Sequence, residues 1–398
     1  MNDSERITAA ICENSFLSFW SFPRPCRKDN SKELTDVLVV CDPYVILISV
    51  KDVQFSSSGN LELDSQRWYK RAIEKSYDQL YGAERIISHA ISPILTATRE
   101  HEIRIPSPDR IKLFRIGVSV GRRQGFALPF GHFETGFVHF FDQLSFPIML
   151  MELDTITDFT RYLETKEHFF DSGKTARFQS EEDLLAIYLH GGRKLPDNYD
   201  RLLVEPLVWH EFIKKTEFKQ RKEQENNSYI WDRIIKEVFH YYSQGNLLFQ
   251  SDLSQIEEAL RAMAKEDRFN RMMLTNSFFE FIGFYEKPKA RARLTQSQSG
   301  ITYVFLRDEH REDDRRQRIR ELKLRCLAAR NVYDSPEIVG IATNSYIPGG
   351  GHSYDLCYLY VPVLNSDEKK KLSKMQEELG YFNKVTKSEK HYDEYPGS

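Results

Sequence analysis

The stretch LTDVLVVCDPYVILISVKDVQF, residues 34–55, decides the fold. Two apolar, β-branched runs, 37–40 and 45–50, are split by Asp42-Pro43, a pair that favours a turn. Both runs are nearly continuous rather than alternating, which is the pattern of neighbouring strands buried on both faces. Upstream, residues 6–20 set Ile7, Ala10, Ile11, Phe16, Leu17 and Trp20 at helical spacing, followed by the loop FPRPCRKDNSK. Downstream, residues 66–91 set Trp68, Ala72, Ile73, Leu80, Ala83 and Ile87 on one face of a long helix. Helix, hairpin and helix form the skeleton of an α/β module.

Four blocks follow from the pattern. Residues 1–105 form the α/β core and 106–195 a mixed strand and helix extension. Residues 196–290 form a helical region, and 291–398 a C-terminal α+β domain. In the second block LFRIGVSVG, GFVHFF and FPIMLMEL read as strands. Helices follow in TITDFTRYLETKEHFF and EEDLLAIYLHGG, with Thr157 and Glu181 near their starts. The last block alternates TYVFL, a basic helix over 315–331, EIVGIAT, YDLCYLYV and the helix SDEKKKLSKMQEELG. IPGGGHS joins two of these strands as a hairpin.

A chain of 398 residues is long enough for two or three domains, and 40% hydrophobic against 29% charged residues supports a packed core. The net charge of −3 excludes a broadly basic nucleic-acid coat while permitting a local basic patch. No run of about 18 apolar residues is present, so no membrane-spanning helix is expected. The N-terminal stretch lacks the basic start and apolar core of a secretory leader. Five cysteines, Cys12, Cys26, Cys41, Cys326 and Cys357, form no CxxC pair and read as reduced thiols. A cytoplasmic protein is the expectation.

The residues with the most chemistry to offer sit around the hairpin. The turn at 42–43 brings Asp36, on one strand, to the same sheet edge as Lys51, near the end of the next. A carboxylate there suits a hard divalent cation, and a lysine beside it stabilises charge on a phosphate. Glu13 lies on the preceding helix and Gln79 on the following one.

This arrangement resembles the PD-(D/E)xK restriction-endonuclease-like superfamily, including its Mrr-like and nuclease-related branches. The matching residues are Glu13 in ICENSF, Asp36 in LTDVLVV, Lys51 in LISVKD and Gln79 in YDQLYGAE, within roughly residues 8–95. The resemblance implies a restriction-endonuclease-like core that hydrolyses phosphodiester bonds of DNA, with defence against foreign DNA as its setting by analogy. It implies Mg2+ or Mn2+ held by Asp36 and Glu13, a catalytic Lys51 that supports attack of water, and a Gln79 that positions substrate. One departure matters: the acid expected two positions before Lys51 is Ser49. Asp52 points to the other face by strand alternation, and Glu33 is the nearer acid. A relocated acid, weak activity and a catalytically inactive nucleic-acid-binding or protein-interaction module therefore all stay open.

Arg67, Arg71 and Lys75 step by four along the second helix as a basic stripe suited to phosphates, against the bland reading of a solvated face. A second cluster comprises Lys287, Lys289, Arg291 and Arg293, and then the arginines and lysines of 311–325; interleaved acids allow ion pairing there. The C-terminal blocks are candidates for a protein partner. Gly349, Gly350 and Gly351 precede a strand, so they read as a turn rather than a phosphate cradle. His132 and His139 read as core-edge residues, and Asp154 and Asp158 as caps of a helix start.

Overall fold

The first helix is set by its own ends. Asn2 accepts from the Glu5 backbone at 2.8 Å while Glu5 accepts from the Asn2 backbone at 3.1 Å, a reciprocal cap that starts α1 (Asp3–Phe16). In the computed structural model, which describes residues 1–123, 128–133, 136–244, 253–283, 291–308, 315–344 and 353–383, the chain forms two units, Met1–Lys215 and Thr216–Ser398. α1 buries Thr8, Ala9, Cys12, Ser15 and Phe16, and leaves Ile7 54% exposed. Of the apolar residues expected on its inner face, Phe16 is buried, as are Leu17 and Trp20 just beyond the helix, while Ile7 and Ala10 face outward. Thr8, Ala9, Cys12 and Ser15 turn inward together with Phe16.

The hairpin forms as its pattern predicts. Short strands β1 (Ser21–Pro23) and β2 (Cys26–Arg27) precede β3 (Val37–Cys41) and β4 (Tyr44–Asp52), which pair antiparallel from Val37↔Ile48 to Cys41↔Tyr44. Asp42-Pro43, a cis peptide, is the two-residue connection. Every residue of β3 is buried. The long helix begins earlier than expected, as α2 (Leu61–Tyr69), a π-helical turn over Lys70–Glu74, and α3 (Lys75–Ser88). Its expected face holds: Trp68, Ala72, Ile73, Leu80, Ala83 and Ile87 pack in one core with Leu38, Val40, Val45 and Leu47.

That helical run is the crossover to a parallel strand, the connection such pairing requires. After β5 (Ile94–Leu95) come β6 (Lys112–Val120), β7 (Gly131–Phe133) and β8 (Gly136–Asp142). The sheet order is β1-β3-β4-β6-β8-β7, with β4, β6 and β8 parallel and the other pairs antiparallel. One sheet therefore takes strands from both sides of residue 105. α1 packs on β3 and β4.

FPIMLMEL is not a strand. It lies in α4 (Ser145–Glu152), whose start is tied by the Leu144 and Ser145 backbones donating to Asp142 Oδ1 at 2.9 and 2.8 Å. A continuous apolar run carries no period that separates a buried helix from a buried strand, and Pro147 is tolerated in a first turn. α5 (Ile156–Asp171) starts at Thr155, which accepts from the Asp158 backbone, two residues before the expected Thr157. β9 (Thr175–Arg177), α6 (Glu181–His190), β10 (Arg201–Leu203) and α7 (Val208–Phe212) complete the unit.

The second unit begins with helices α8 (Thr216–Glu225), α9 (Tyr229–Ser243), α10 (Leu253–Ala264) and α11 (Arg268–Ile282). A four-stranded sheet follows from β11 (Ala292–Gln296), β12 (Thr302–Asp308), β13 (Glu337–Asn344) and β14 (Tyr354–Tyr360), in that order. α12 (Arg315–Val332) crosses between parallel β12 and β13, and α13 (Ser366–Leu379) ends the described chain. β13 and β14 pair antiparallel as expected, while residues 345–352, with the glycines of the expected turn, lie outside the described residues. Among the described residues, no helix is long and apolar enough to cross a membrane.

The sheet of the first unit carries one close approach beside the hairpin. Gly117 of β6 pairs with Ser49 on one side and Phe140 on the other, and a Cβ there would fall 2.3 Å from the Phe140 ring. Gly117→Ala is expected to cost about 1–3 kcal/mol by forcing that buried ring aside, measured as a drop in the urea midpoint.

Candidate functional site

Asp36, Ser49, Lys51 and Gln79 converge at the end of β4. Asp36 immediately precedes β3, and continuing the hairpin register by one pair sets it opposite Ser49, next to Val50, whose backbone donates to Asp36 Oδ2 at 2.7 Å. Lys51 Nζ lies 3.6 Å from the same oxygen. Strand alternation puts Ser49 and Lys51 on one face, and α3 covers that face. Gln79 Oε1 accepts from Ser49 Oγ at 2.8 Å and from Lys51 Nζ at 2.5 Å. An ammonium only donates, so the amide oxygen must be the end that faces it. Asp36 is 6% exposed and Ser49 fully buried, while the Lys51 side chain keeps 22% of its surface in solvent.

The balance of charge leaves the carboxylate under-compensated. Burial holds the Asp36 carboxyl above its ordinary value, against the Lys51 charge and the Val50 N–H that pull it down; Glu5 and Glu33 raise it further. No hydrogen bond reaches Asp36 Oδ1 among the described residues. One engaged oxygen and one open oxygen, in a site short of positive charge, suit a cation. Mg2+ is commonly held by one or two carboxylates together with waters and a substrate phosphate, so the donor set fits an ion that binds with its substrate. It does not fit a preformed cage: among the described residues, no three His, Cys, Asp or Glu side chains group to hold a metal.

Glu13 is not drawn into this cluster. It sits half-buried on α1, with no hydrogen bond or ion pair among the described residues, and its charge acts on Cys12. The α1 acid that acts on Asp36 is Glu5, two turns nearer the start of the helix. That first turn is tied to the end of β4 by Ser4 Oγ donating to Asp52 Oδ2 at 2.8 Å. Glu33 is paired with Arg24 at 2.7 Å. Ser119 of β6 escaped the sequence reading. It pairs in register with Lys51, is 1% exposed, and its hydroxyl has no hydrogen-bond partner among the described residues. Nothing in a lone serine within GVSVG signals this; the register two elements away creates it.

Arg67, Arg71 and Lys75 are exposed, and no carboxylate or hydrogen bond holds them among the described residues. The second basic cluster is different. Arg291 and Arg325 are paired with Glu321, Arg293 with Glu280, and Arg315 and Arg318 with Asp355, so much of its charge is spent within the fold. Lys287, Lys289 and Arg311 lie outside the described residues. His139 is fully buried with Nε2 2.9 Å from Glu167, whereas His132, also expected at the edge of the core, is exposed and bonds Asp171 on the surface. Thr155 and Arg193 take Asp158, consistent with its role at a helix start.

Comparison of the chain with protein-family models, curated proteins and solved structures found no match.

The raised Asp36 carboxyl has a measurable consequence. A group with a raised folded value contributes stability that is full below its unfolded value, about 3.9, and is lost as pH rises through the folded value. Asp36→Asn keeps the acceptor for Val50 but removes the charge. In urea denaturation the variant is expected to match the parent near pH ~3 and to be the more stable of the two at pH ~7. A variant that is less stable at neutral pH would contradict the charge balance described above.

Proposed function

We propose that the first unit is a nuclease-like module that hydrolyses phosphodiester bonds of DNA in a divalent-cation-dependent reaction. The observation that carries this reading is the convergence of Asp36, Lys51 and Gln79, from three separate elements, at the edge where β4 ends. The strand order supports it: an antiparallel hairpin, a helical crossover and a parallel strand are compatible with a restriction-endonuclease-like core.

In this reading Asp36 Oδ1 holds Mg2+ or Mn2+, which supplies positive charge against the phosphate oxygens when bound. Lys51 keeps one donor on Gln79 and, with its partial exposure, turns another toward a non-bridging phosphate oxygen, where charge builds up during displacement. Gln79 fixes the lysine and is in turn fixed by Ser49. The unpartnered Ser119 hydroxyl adds a polar group one strand over. Arg67, Arg71 and Lys75 carry the sequence-independent contacts to the DNA backbone.

With Mg2+ or Mn2+ the purified protein is expected to nick plasmid DNA, and Asp36→Ala and Lys51→Ala each to lower the rate by about 100-fold or more. Cleavage that survives both substitutions removes the assignment. The triple variant Arg67→Ala, Arg71→Ala, Lys75→Ala is expected to weaken DNA binding in EDTA. It should also lower the salt slope by about 2–3, measured by fluorescence anisotropy between low and physiological salt.

A second reading is favoured by one feature, the Ser49 hydroxyl in the place of an acid, spent on Gln79. On that reading the unit binds nucleic acid or protein without cleaving. Calorimetry separates the two: the nuclease binds Mn2+ and loses it in Asp36→Asn, and the inactive scaffold does not bind it.

A further inference from the structure

Cys326 lies on α12 and Cys357 on β14, in the core of the second unit. Between them is Gly340 of β13. Gly340 pairs directly with Cys357, and the Cys326 sulfur occupies the space a side chain at 340 would fill, 2.6 Å from the position of its Cβ. Directly paired residues of an antiparallel ladder project to the same face, so the missing side chain brings the two sulfurs together. The two thiols act on each other's ionisation. Of the two, Cys326 is fully buried and Cys357 is 8% exposed, so a small reagent reaches Cys357 first.

We propose that Cys357 and Cys326 form a thiol–disulfide site, in which Cys357 is oxidised by a hydroperoxide and Cys326 resolves the product into an intramolecular disulfide. The polarity of the pair fits these roles. The neighbouring Cys326 thiol, with the Lys323 charge on the same helix, pulls the Cys357 thiol below its ordinary value despite burial; burial pushes the Cys326 thiol up. The Cys357 sulfur attacks the terminal peroxide oxygen and the O–O bond breaks. This gives a sulfenic acid on Cys357 and an alcohol, or water from hydrogen peroxide, which takes the thiol proton. The Cys326 sulfur then attacks the sulfenyl sulfur; the S–S bond forms, the S–O bond breaks, and the hydroxide leaves with the Cys326 proton as water. Two electrons pass from the sulfurs to the peroxide. The product ties α12 to β14 covalently.

The test treats the full chain with hydrogen peroxide, denatures it, blocks remaining thiols with N-ethylmaleimide and reads the label count by intact mass. Five labels are expected before oxidation and three after it, with a non-reduced peptide map joining Cys326 to Cys357. In Cys326→Ser, dimedone is expected to trap a sulfenic acid on Cys357; in Cys357→Ser, no internal disulfide should form. Circular dichroism of the reduced variants shows whether each is folded, and the map of the unsubstituted chain decides if one is not. Five labels after oxidation, or a disulfide joining any other pair, overturns the proposal.

Discussion

A buried carboxylate next to a lysine organises the end of the central hairpin. Asp36 reaches across to the Val50 backbone and to Lys51, and Lys51 reaches on to Gln79, so β3, β4 and α3 meet at one point through polar contacts as well as packing. The apolar rows behind it, Leu38 and Val40 with Val45 and Leu47, exclude water from one side of the pair and make its electrostatics stronger than on an open surface. A buried ion pair is seldom the cheapest way to hold a hairpin together, because desolvation offsets much of the attraction.

Much of this was legible in the residue pattern, for a specific reason. Continuous β-branched runs around Asp42-Pro43 admit few structures other than a buried hairpin, and its two-residue connection then fixes the register that pairs Val37 with Ile48. Once that register is set, Asp36 and Lys51 must meet. Gln79 followed from the helical face, since Leu80 and Ala83 turn inward beside it. The misreadings also have causes. FPIMLMEL is apolar throughout and so has no period to read. In α1 the inner face takes Phe16 as expected but Thr8, Ala9 and Cys12 in place of Ile7 and Ala10, because a helix with few apolar residues in its first turns leaves its face weakly marked. Glu13 stayed outside the cluster because the helix approaches the strand ends through its first turn, a fact decided by Ser4 and Asp52 rather than by sequence order.

The two basic clusters show why composition alone does not locate a binding surface. Arg67, Arg71 and Lys75 ride on a helix whose inner face is fully used by the core, which leaves their charges outward and uncommitted among the described residues. The arginines of α12 look denser in sequence, yet Asp355 on β14 and Glu321 on the same helix absorb much of their charge. Charge density becomes a field only after these internal pairs are subtracted.

The π-helical turn over Lys70–Glu74 sets the angular position of everything beyond it. A wider turn accommodates one more residue than an α-helical turn does, so it rotates the following helix relative to the preceding one. Trp68 and Leu80 both point inward across this break, which a single uninterrupted period would not require of them. Removing one residue from the turn would restore a regular helix and swing Gln79 roughly 100° around its axis, away from Ser49 and Lys51. The chain's tolerance of insertions and deletions in this segment is therefore governed both by the buried faces of Ala72, Ile73 and α3 and by a polar contact more than a full helical turn away.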